Sequence, residues 1–289
     1  LSERGELVVV ATPIGNMGDL SSRAVEALSS ADVICCEDTR RTGRLLSLAG
    51  IKPPRLVSLH AHNEAGRAAE VIRFLQQGNR VALVSDAGTP AISDPGSRLV
   101  SEVHDAGERV TTVPGPSAAV TAVSIAGFGG ARFRFEGFLP KRGRDREVRL
   151  AEVASSPVPV VIYEAPRRVD DLVSALSERT DACRRLTVCR ELTKLHEEVW
   201  RGSLAEAAGR WPPEGTKGEL VLVLDGLQEG QSAPPSDSEL ADAVEELERT
   251  GSSRRDAVGA VAESAGLSRR RVYEATGSRP KRGRGGTHL

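Results

Sequence analysis

Four apolar runs in this chain end the same way, on a turn locked by proline, joined in three of them by glycine. Val81-Ala-Leu-Val84 runs into Ser85-Asp-Ala-Gly-Thr-Pro90, and that turn continues through Ile92 to Ser93-Asp-Pro-Gly96. Val8-Val-Val-Ala11 meets Thr12-Pro-Ile-Gly-Asn16, Val110-Thr-Thr-Val113 meets Pro114-Gly-Pro-Ser117, and Val160-Val-Ile-Tyr163 meets Glu164-Ala-Pro-Arg167. A short apolar run bounded by such breakers reads as a buried strand of a parallel sheet. Open α/β sheets place their ligands at the carboxyl ends of such strands. One loop of this kind is equally well a tight turn between elements, whereas four in one chain point to a shared binding crevice.

Helical patterns fall between the strands. Strands are predicted at Glu6–Thr12, Asp32–Cys36, Arg55–His60, Arg80–Asp86 and Arg109–Val113, and helices at Ser21–Ser30, Thr42–Ala49, Glu64–Gln77 and Gly96–Ala106. The alternation argues for a mostly parallel N-terminal α/β domain over residues 1–115. A second α/β domain, 116–228, is predicted to hold a mixed sheet of strands Arg132–Phe138, Val158–Glu164, Arg185–Glu191, Glu197–Arg201 and Glu219–Asp225. Arg132–Phe138 alternates Arg and Phe and so reads as half-buried. Its helices are predicted at Arg144–Ala154, Pro166–Glu178 and Ser203–Gly209. Residues 229–236 have linker composition. Residues 237–277 then read as helices only, with a helix-turn-helix pattern: a helix from Arg254, a turn at Gly266, and a helix capped by Ser268 with three arginines in its first turn. A basic, Gly-rich tail, expected to be disordered, fills 278–289.

The overall charge of −1 hides an asymmetry, because residues 250–289 carry nine Lys/Arg against three Asp/Glu. No run approaches the roughly 18 apolar residues of a membrane span. The N-terminus lacks a basic-then-apolar signal pattern, so a cytoplasmic protein is expected. Cys35, Cys36, Cys183 and Cys189 form no C-x-x-C pair and read as core-filling or inert. There is neither a G-x-G-x-x-G nor a P-loop, which leaves the usual dinucleotide and triphosphate sites unsupported. The loops suit instead a small, folded, partly cationic ligand, with Asp86 and Asp94 as acceptors.

Further clusters sit at other strand ends. Glu37-Asp38-Thr39-Arg40 reads either as a substrate contact or as a helix cap at Asp38 or Thr39. His60-Ala-His62-Asn63 offers no third metal ligand, so Asn63 is expected to cap a helix and His62 to touch substrate. Arg190-Glu191-Leu192-Thr193-Lys194 offers a proton acceptor and a cation, or else a surface ion pair. Lys141, Arg142 and Arg144, in the basic stretch 140–149, are placed to hold phosphates.

Taken in order, T-P-I-G-N, E-D-T-R, S-D-A-G-T-P, S-D-P-G, V-P-G-P-S, Y-E-A-P and R-E-L-T-K resemble the tetrapyrrole-methylase-like class of S-adenosylmethionine methyltransferases. Within it they are most similar to the branch acting on small-subunit ribosomal RNA. The resemblance spans about residues 5–277 and implies a two-domain α/β enzyme, commonly a homodimer, with S-adenosyl-L-methionine bent between the domains. It implies cofactor contacts from Pro13, Asp86, Ala87, Gly88, Ile92, Ser117, Ala118, Tyr163, Leu192 and Leu220. It implies 2′-O-methylation of a cytidine ribose in the decoding region of 16S rRNA, free or in the assembled small subunit, with no metal and no membrane. A ribose hydroxyl is a poor nucleophile at neutral pH, so a base and a cation should help, and Glu191 and Lys194 are expected in those catalytic roles. Asp38, Arg40, His62 and Asn63 are expected to orient the substrate. The helix-turn-helix and basic tail fit an RNA-docking role, or else a small bundle used for folding or dimer contacts. Two rivals remain: a porphyrinoid C-methyltransferase of the same fold, and a cofactor-sensing regulator whose helix-turn-helix grips DNA.

Overall fold

A computed structural model describes residues 5–61, 63–129, 131–227, 237–265 and 267–277. His62, the linker, Gly266 in the helix-turn-helix turn and the basic tail lie outside the described residues. The chain divides into two compact units. One is drawn from Leu1–Gly127, Cys189–Val199 and Glu219–Val221, the other from Phe128–Val188, Trp200–Gly218 and Leu222–Leu289.

The first unit is built on β1 (Glu6–Val10), β2 (Val33–Cys36), β3 (Arg55–Ser58), β4 (Arg80–Leu83) and β5 (Arg109–Val113). They form one sheet in the order β3-β2-β4-β1-β5, with every pairing parallel. Helices pack on both faces of its centre, which is why β1, β2 and β4 read as apolar runs, whereas β3 and β5 at the edges carry polar and partly exposed residues. Val8, Ile34 and Ala82 pack with Leu28 of α1 (Ser22–Ser29) and Leu46 of α2 (Thr39–Leu48). Leu7, Val33, Cys35 and Val81 face the other way, toward Val71 and Leu75 of α3 (Glu64–Gln76) and Leu99 of α4 (Ser97–Asp105). Strand ends come earlier than the sequence suggested. After Val10 the chain leaves the parallel ladder, and Thr12 instead makes an isolated antiparallel bridge to Gly88. The second helix begins three residues early, at Thr39, because Asp38 caps it by accepting the Arg40 and Arg41 amides. One helix, α5 (Ala118–Ala126), was not foreseen. Its run Ala-Ala-Val-Thr-Ala-Val-Ser-Ile-Ala is apolar on nearly every side and carries no amphipathic stripe.

The second sheet has the order β6-β7-β10-β8-β9 and is mixed, built from β6 (Arg134–Phe138), β7 (Val160–Glu164), β8 (Arg185–Arg190), β9 (Glu198–Ser203) and β10 (Leu220–Leu224). Its helices are α6 (Arg144–Ala154), α7 (Val169–Ser177) and α8 (Leu204–Ala207), the last opened by a capping box between Ser203 and Glu206. The expected alternation of β6 fails. A register shift between Phe135 and Gly137 breaks the two-residue period. The Glu136 side chain is buried between Arg134 and Arg149, and Phe138 is exposed. Cys183 also departs from the core-filling reading. It lies exposed in a turn where its amide donates to Asp181 Oδ1. The chain closes on α9 (Asp237–Arg249), α10 (Arg254–Ser264) and α11 (Arg269–Gly277), packed around Leu240, Val244, Val261 and Val272. No described helix is long and apolar enough to cross a membrane.

Candidate functional site

Three neighbouring strands of the first sheet deliver their loops to one place. The Thr12 amide donates to Gly88 O at 2.9 Å and the Gly88 amide donates back to Thr12 O at 3.0 Å. Thr89 Oγ1 donates to Pro116 O at 3.1 Å. The loops after β1, β4 and β5 are thereby stitched together, and they bring Pro13, Ala87, Gly88, Ser117 and Ala118 into one neighbourhood. Ser117 sits at the N-cap of α5, yet its side chain makes no capping bond. Asp86 is tied down from two sides: Oδ1 accepts the Asp38 amide at 3.1 Å, and Oδ2 pairs with Arg41 at 3.0 Å. The pair fixes the β4 loop to the start of α2, a partnership the sequence did not signal.

The Arg190–Lys194 segment, which follows β8, belongs to the same unit and lies against the first of these loops. A Cβ added at Gly15 would overlap Lys194 Cγ and stand 2.9 Å from Thr193 Oγ1 and 3.0 Å from Leu192 O. Only glycine permits that approach. Lys194 Nζ donates to Glu191 Oε1 at 2.8 Å and to Glu219 Oε2 at 3.0 Å, and Glu191 Oε1 also accepts the Glu219 amide at 2.8 Å. Burial alone would push Glu191 up, but the Lys194 hydrogen bond and the Glu219 amide outweigh it and hold the carboxyl below its usual range. For Lys194, burial is likewise outweighed by its two carboxylates, and its pKa is raised. The ammonium is therefore present throughout the neutral range. Glu219 lies far off in sequence, and nothing local in the chain marked it.

Backbone strain collects at the same loops. Among the described residues, four that are not glycine have left-handed backbone: Ala91 (φ 66°), Ser93 (φ 62°), Glu191 (φ 53°) and Thr193 (φ 66°). They flank Ile92 and Leu192, both expected to touch the cofactor. Ile92 is 46% exposed and Leu192 only 7%. Leu220, at the start of β10, is buried. Thr193 Oγ1 is buried without a hydrogen-bond partner among the described residues. Such an atom is costly unless something else satisfies it.

Charge is concentrated beside the loops. A polar pocket of about 440 Å³ at the ends of β2, β3 and β4 is lined by Glu37, Asp38, Arg40, Arg41, Ser58 and Asp86. Asp94 is pushed up to about 6, first by burial and then by the charge of Glu37, against a hydrogen bond from Ser85. Glu37 is raised as well, by burial and by Asp86. Asp38 runs the other way, held down at about 2 by hydrogen bonds from the Arg40 side chain and backbone.

Asn63 does not do what the sequence suggested. It occupies the N-cap position of α3 but makes no side-chain cap. Its Oδ1 instead accepts the His60 amide at 2.8 Å, and its Nδ2 donates to Ser58 O at 3.1 Å. Both polar ends are used in clamping the loop. In the other unit Tyr163 packs edge-on to Phe135 and Phe138, at 5.0 and 5.6 Å between ring centroids. Lys141, Arg142 and Arg144 are exposed at the start of α6. Arg146 and Arg149 of the same stretch are engaged, with Pro140 O and with Glu136.

Comparison with known proteins agrees with this architecture. The family model of the tetrapyrrole (corrin/porphyrin) methylases matches residues 6–208. A Synechocystis protein named ribosomal RNA small subunit methyltransferase I is 42% identical over 270 residues, covering 93% of this chain and 96% of that protein. Its namesake from Thermotoga maritima is 43% identical over 226 residues, which is 78% of this chain and 100% of the Thermotoga protein. Among solved structures, uroporphyrin-III-C-methyltransferase from Thermus thermophilus superposes with a TM-score of 0.54 at 22% identity, covering 77% of this chain and 94% of that one. Diphthine synthase superposes with a TM-score of 0.59 at 15% identity, covering 76% and 90%. The chain belongs to the tetrapyrrole methylase family, and within it to the group of ribosomal RNA small subunit methyltransferase I.

Proposed function

We propose that this chain is an S-adenosylmethionine-dependent methyltransferase that methylates the ribose 2′-hydroxyl of a cytidine in 16S rRNA, free or assembled into the small subunit. The observation that carries this reading is Lys194, a lasting ammonium held by Glu191 and Glu219 and seated against the Gly15 loop. When bound, the cofactor supplies an electrophilic methyl group on a sulfonium. The loops fit such a group, because they offer backbone at Ala87 and Gly88, apolar surface at Ile92 and Leu192, and in Thr193 a buried hydroxyl in need of a partner. Pro13, Ser117, Ala118 and Leu220 complete that set and Asp86 fixes the β4 loop; for Tyr163 a cofactor contact rests on the family resemblance alone.

Methyl transfer to a hydroxyl needs its oxygen freed of a proton and aligned within about 3–3.5 Å of the carbon. Glu191, ionised at neutral pH, accepts the proton. Lys194 stabilises the alkoxide as it forms. A carboxylate with a lowered pKa is a weak base, so the larger share of the rate falls to Lys194. Asp38 and Arg40 orient the nucleotide, His62 belongs to the same set, and Lys141, Arg142 and Arg144 hold phosphates. Asn63 shapes its loop and contributes no free polar group. A homodimer belongs to the reading, because α5 leaves Val120 58% and Ile125 44% exposed. The setting is cytoplasmic, with the rRNA.

The test offers purified protein and methyl-labelled cofactor to naked 16S rRNA, to assembled small subunits and to a porphyrinoid mixture, followed by nucleoside analysis. Label in 2′-O-methylcytidine supports the reading. Label in a pigment, in a base, or in no RNA at all overturns it.

A further inference from the structure

The family model stops at residue 208, and the whole Thermotoga relative aligns to 226 residues of this chain. The bundle α9–α11 therefore lies beyond the matched family model, although the 270-residue match to the Synechocystis relative is long enough to reach into it, and its surface calls for its own account. Between α10 and α11 runs a groove of about 580 Å³, lined by Arg254, Arg255 and Val258 on one side and by Arg269, Arg270, Tyr273 and Glu274 on the other. Val272, the residue before Tyr273, fills the bundle core, whereas Tyr273 is 61% exposed. The bundle does not need that ring for its packing.

The groove is basic as well as aromatic. Arg254 Cζ stands 6.0 Å from the Tyr273 ring centroid, within cation–π range. Arg270 pairs with Glu274 and Arg254 stands 3.9 Å from Glu248, whereas Arg255 and Arg269 have no carboxylate within ion-pair distance among the described residues. Arg269 reaches across to α10, where a Cβ at Gly259 would stand 3.4 Å from its Nη2. Beyond the bundle the sequence adds Arg279, Lys281, Arg282 and Arg284, with no acidic residue. The lining sets four guanidinium groups against the single carboxylate of Glu274, a stronger basic bias than the evenly mixed charges of an ordinary solvated face. An exposed ring flanked by guanidinium groups matches instead the needs of an unpaired nucleobase and its phosphates.

We propose that the α10–α11 groove docks a single-stranded stretch of ribosomal RNA, with one base stacked on Tyr273 and Arg254 and with phosphates held by Arg255 and Arg269. This rests on the ribosomal-RNA reading above for its choice of polyanion. An unpaired strand is preferred to a duplex because a stacked pair hides the base face that Tyr273 would meet. The groove thus holds the substrate through contacts separate from the methylating loops.

The test uses the full-length protein and two readouts: anisotropy of a labelled single-stranded RNA oligonucleotide, and KM against kcat for methylation of small subunits. All the altered side chains lie on the bundle surface, and unchanged thermal melting checks the fold. Tyr273→Ala should weaken RNA binding and raise KM by about 5- to 100-fold, the usual worth of a stacked base. Its kcat and cofactor affinity should stay put, and Tyr273→Phe should behave as wild type. Arg255→Gln with Arg269→Gln should flatten the dependence of log affinity on log salt by about 1.4, the loss of two phosphate contacts on a single strand. Wild-type binding and KM in Tyr273→Ala, or duplex DNA competing as well as single-stranded RNA, would overturn the proposal. The two readings fail separately. Tyr273-dependent RNA binding by a protein that methylates no RNA leaves the docking groove standing and removes the reaction. RNA methylation indifferent to Tyr273 does the reverse.

Discussion

Gly15 and Gly259 are the same residue in two different kinds of site. A side chain at Gly15 would run into Lys194, Thr193 and the Leu192 carbonyl, two of which are close to the backbone. A side chain at Gly259 would meet only the far end of Arg269, a long and flexible group. The backbone repeats the contrast. All four described non-glycine residues with left-handed φ lie in the Ala91–Ser93 and Glu191–Thr193 loops, and none in α9–α11. Chemistry at a single atom needs a few groups held to fractions of an ångström, and strained loops persist where their surroundings over-determine them. Gripping a polyanion needs only charge and a ring within reach, which regular helices supply without strain.

The largest effect is expected where the rigid site loses its cation. Lys194→Ala should lower kcat by about 10²- to 10³-fold, the usual loss of one group that stabilises a developing oxyanion, with KM for RNA nearly unchanged. Glu191→Gln should cost less, about tenfold, since the carboxylate is a weak base and Glu219 still holds the lysine. Single-turnover methylation of small subunits measures both, and a larger loss in the glutamine variant would reverse the assigned roles. Gly15→Ala comes next. It removes no reacting group but displaces Lys194, and a misplacement of about 1 Å can cost up to ~10²-fold in rate. A kcat within twofold of wild type would mean that the close approach is packing alone.

How far each region could be read from the sequence follows the same division. The alternating strands and helices of the first sheet stood out because the central strands β1, β2 and β4 are largely buried and the loops after β1, β4 and β5 carry Pro and Gly. Asp38 as a cap and Ser203 with Glu206 as a capping box are local interactions, so local sequence shows them. The Arg190–Lys194 segment was legible as a pair of chemical groups, but its environment was not. Glu219 and Gly15 meet Lys194 only through the tertiary fold. Asn63 misled because a cap position and a loop clamp share one sequence pattern. Helix α5 escaped because an all-round apolar run has no period to detect. The bulge at Gly137 overturned a period that was plain in the sequence. Tyr273 was visible as a residue, yet only the packing of Val272 shows that the ring is spare.

Asp94 gives a smaller and strictly electrostatic test of the loop region. Burial and the Glu37 charge hold it at about 6, against an ordinary aspartate value of about 3.9. Between those values the unfolded chain has released the proton and the folded chain keeps it. Wild-type stability should accordingly fall as pH rises from about 4 to about 6, then level off as far as this group is concerned. Asp94→Asn removes that slope, so the variant should gain on the wild type through the window and hold the gain at pH 7. Thermal melting of both proteins across pH 4–8 checks it. Parallel curves would show that the carboxyl titrates normally.

The smallest effect should come from Gly259→Ala, the counterpart of Gly15→Ala in the permissive region. Glycine inside a helix costs about 1 kcal/mol relative to alanine, chiefly through the freedom it has in the unfolded chain. At Gly259 the new methyl group would meet only Arg269 Nη2 at 3.4 Å, and that guanidinium can swing aside. Alanine should therefore stabilise α10 by about 1 kcal/mol, read by amide exchange within the bundle. It should leave kcat at its wild-type value and shift KM for RNA by no more than about threefold, as Arg269 finds a second pose. The opposite signs of the two glycine substitutions would then separate a loop whose geometry sets the rate from a helix surface whose charge sets the affinity. A large kcat loss from Gly259→Ala would erase that separation, because it would tie the bundle to the reacting groups themselves.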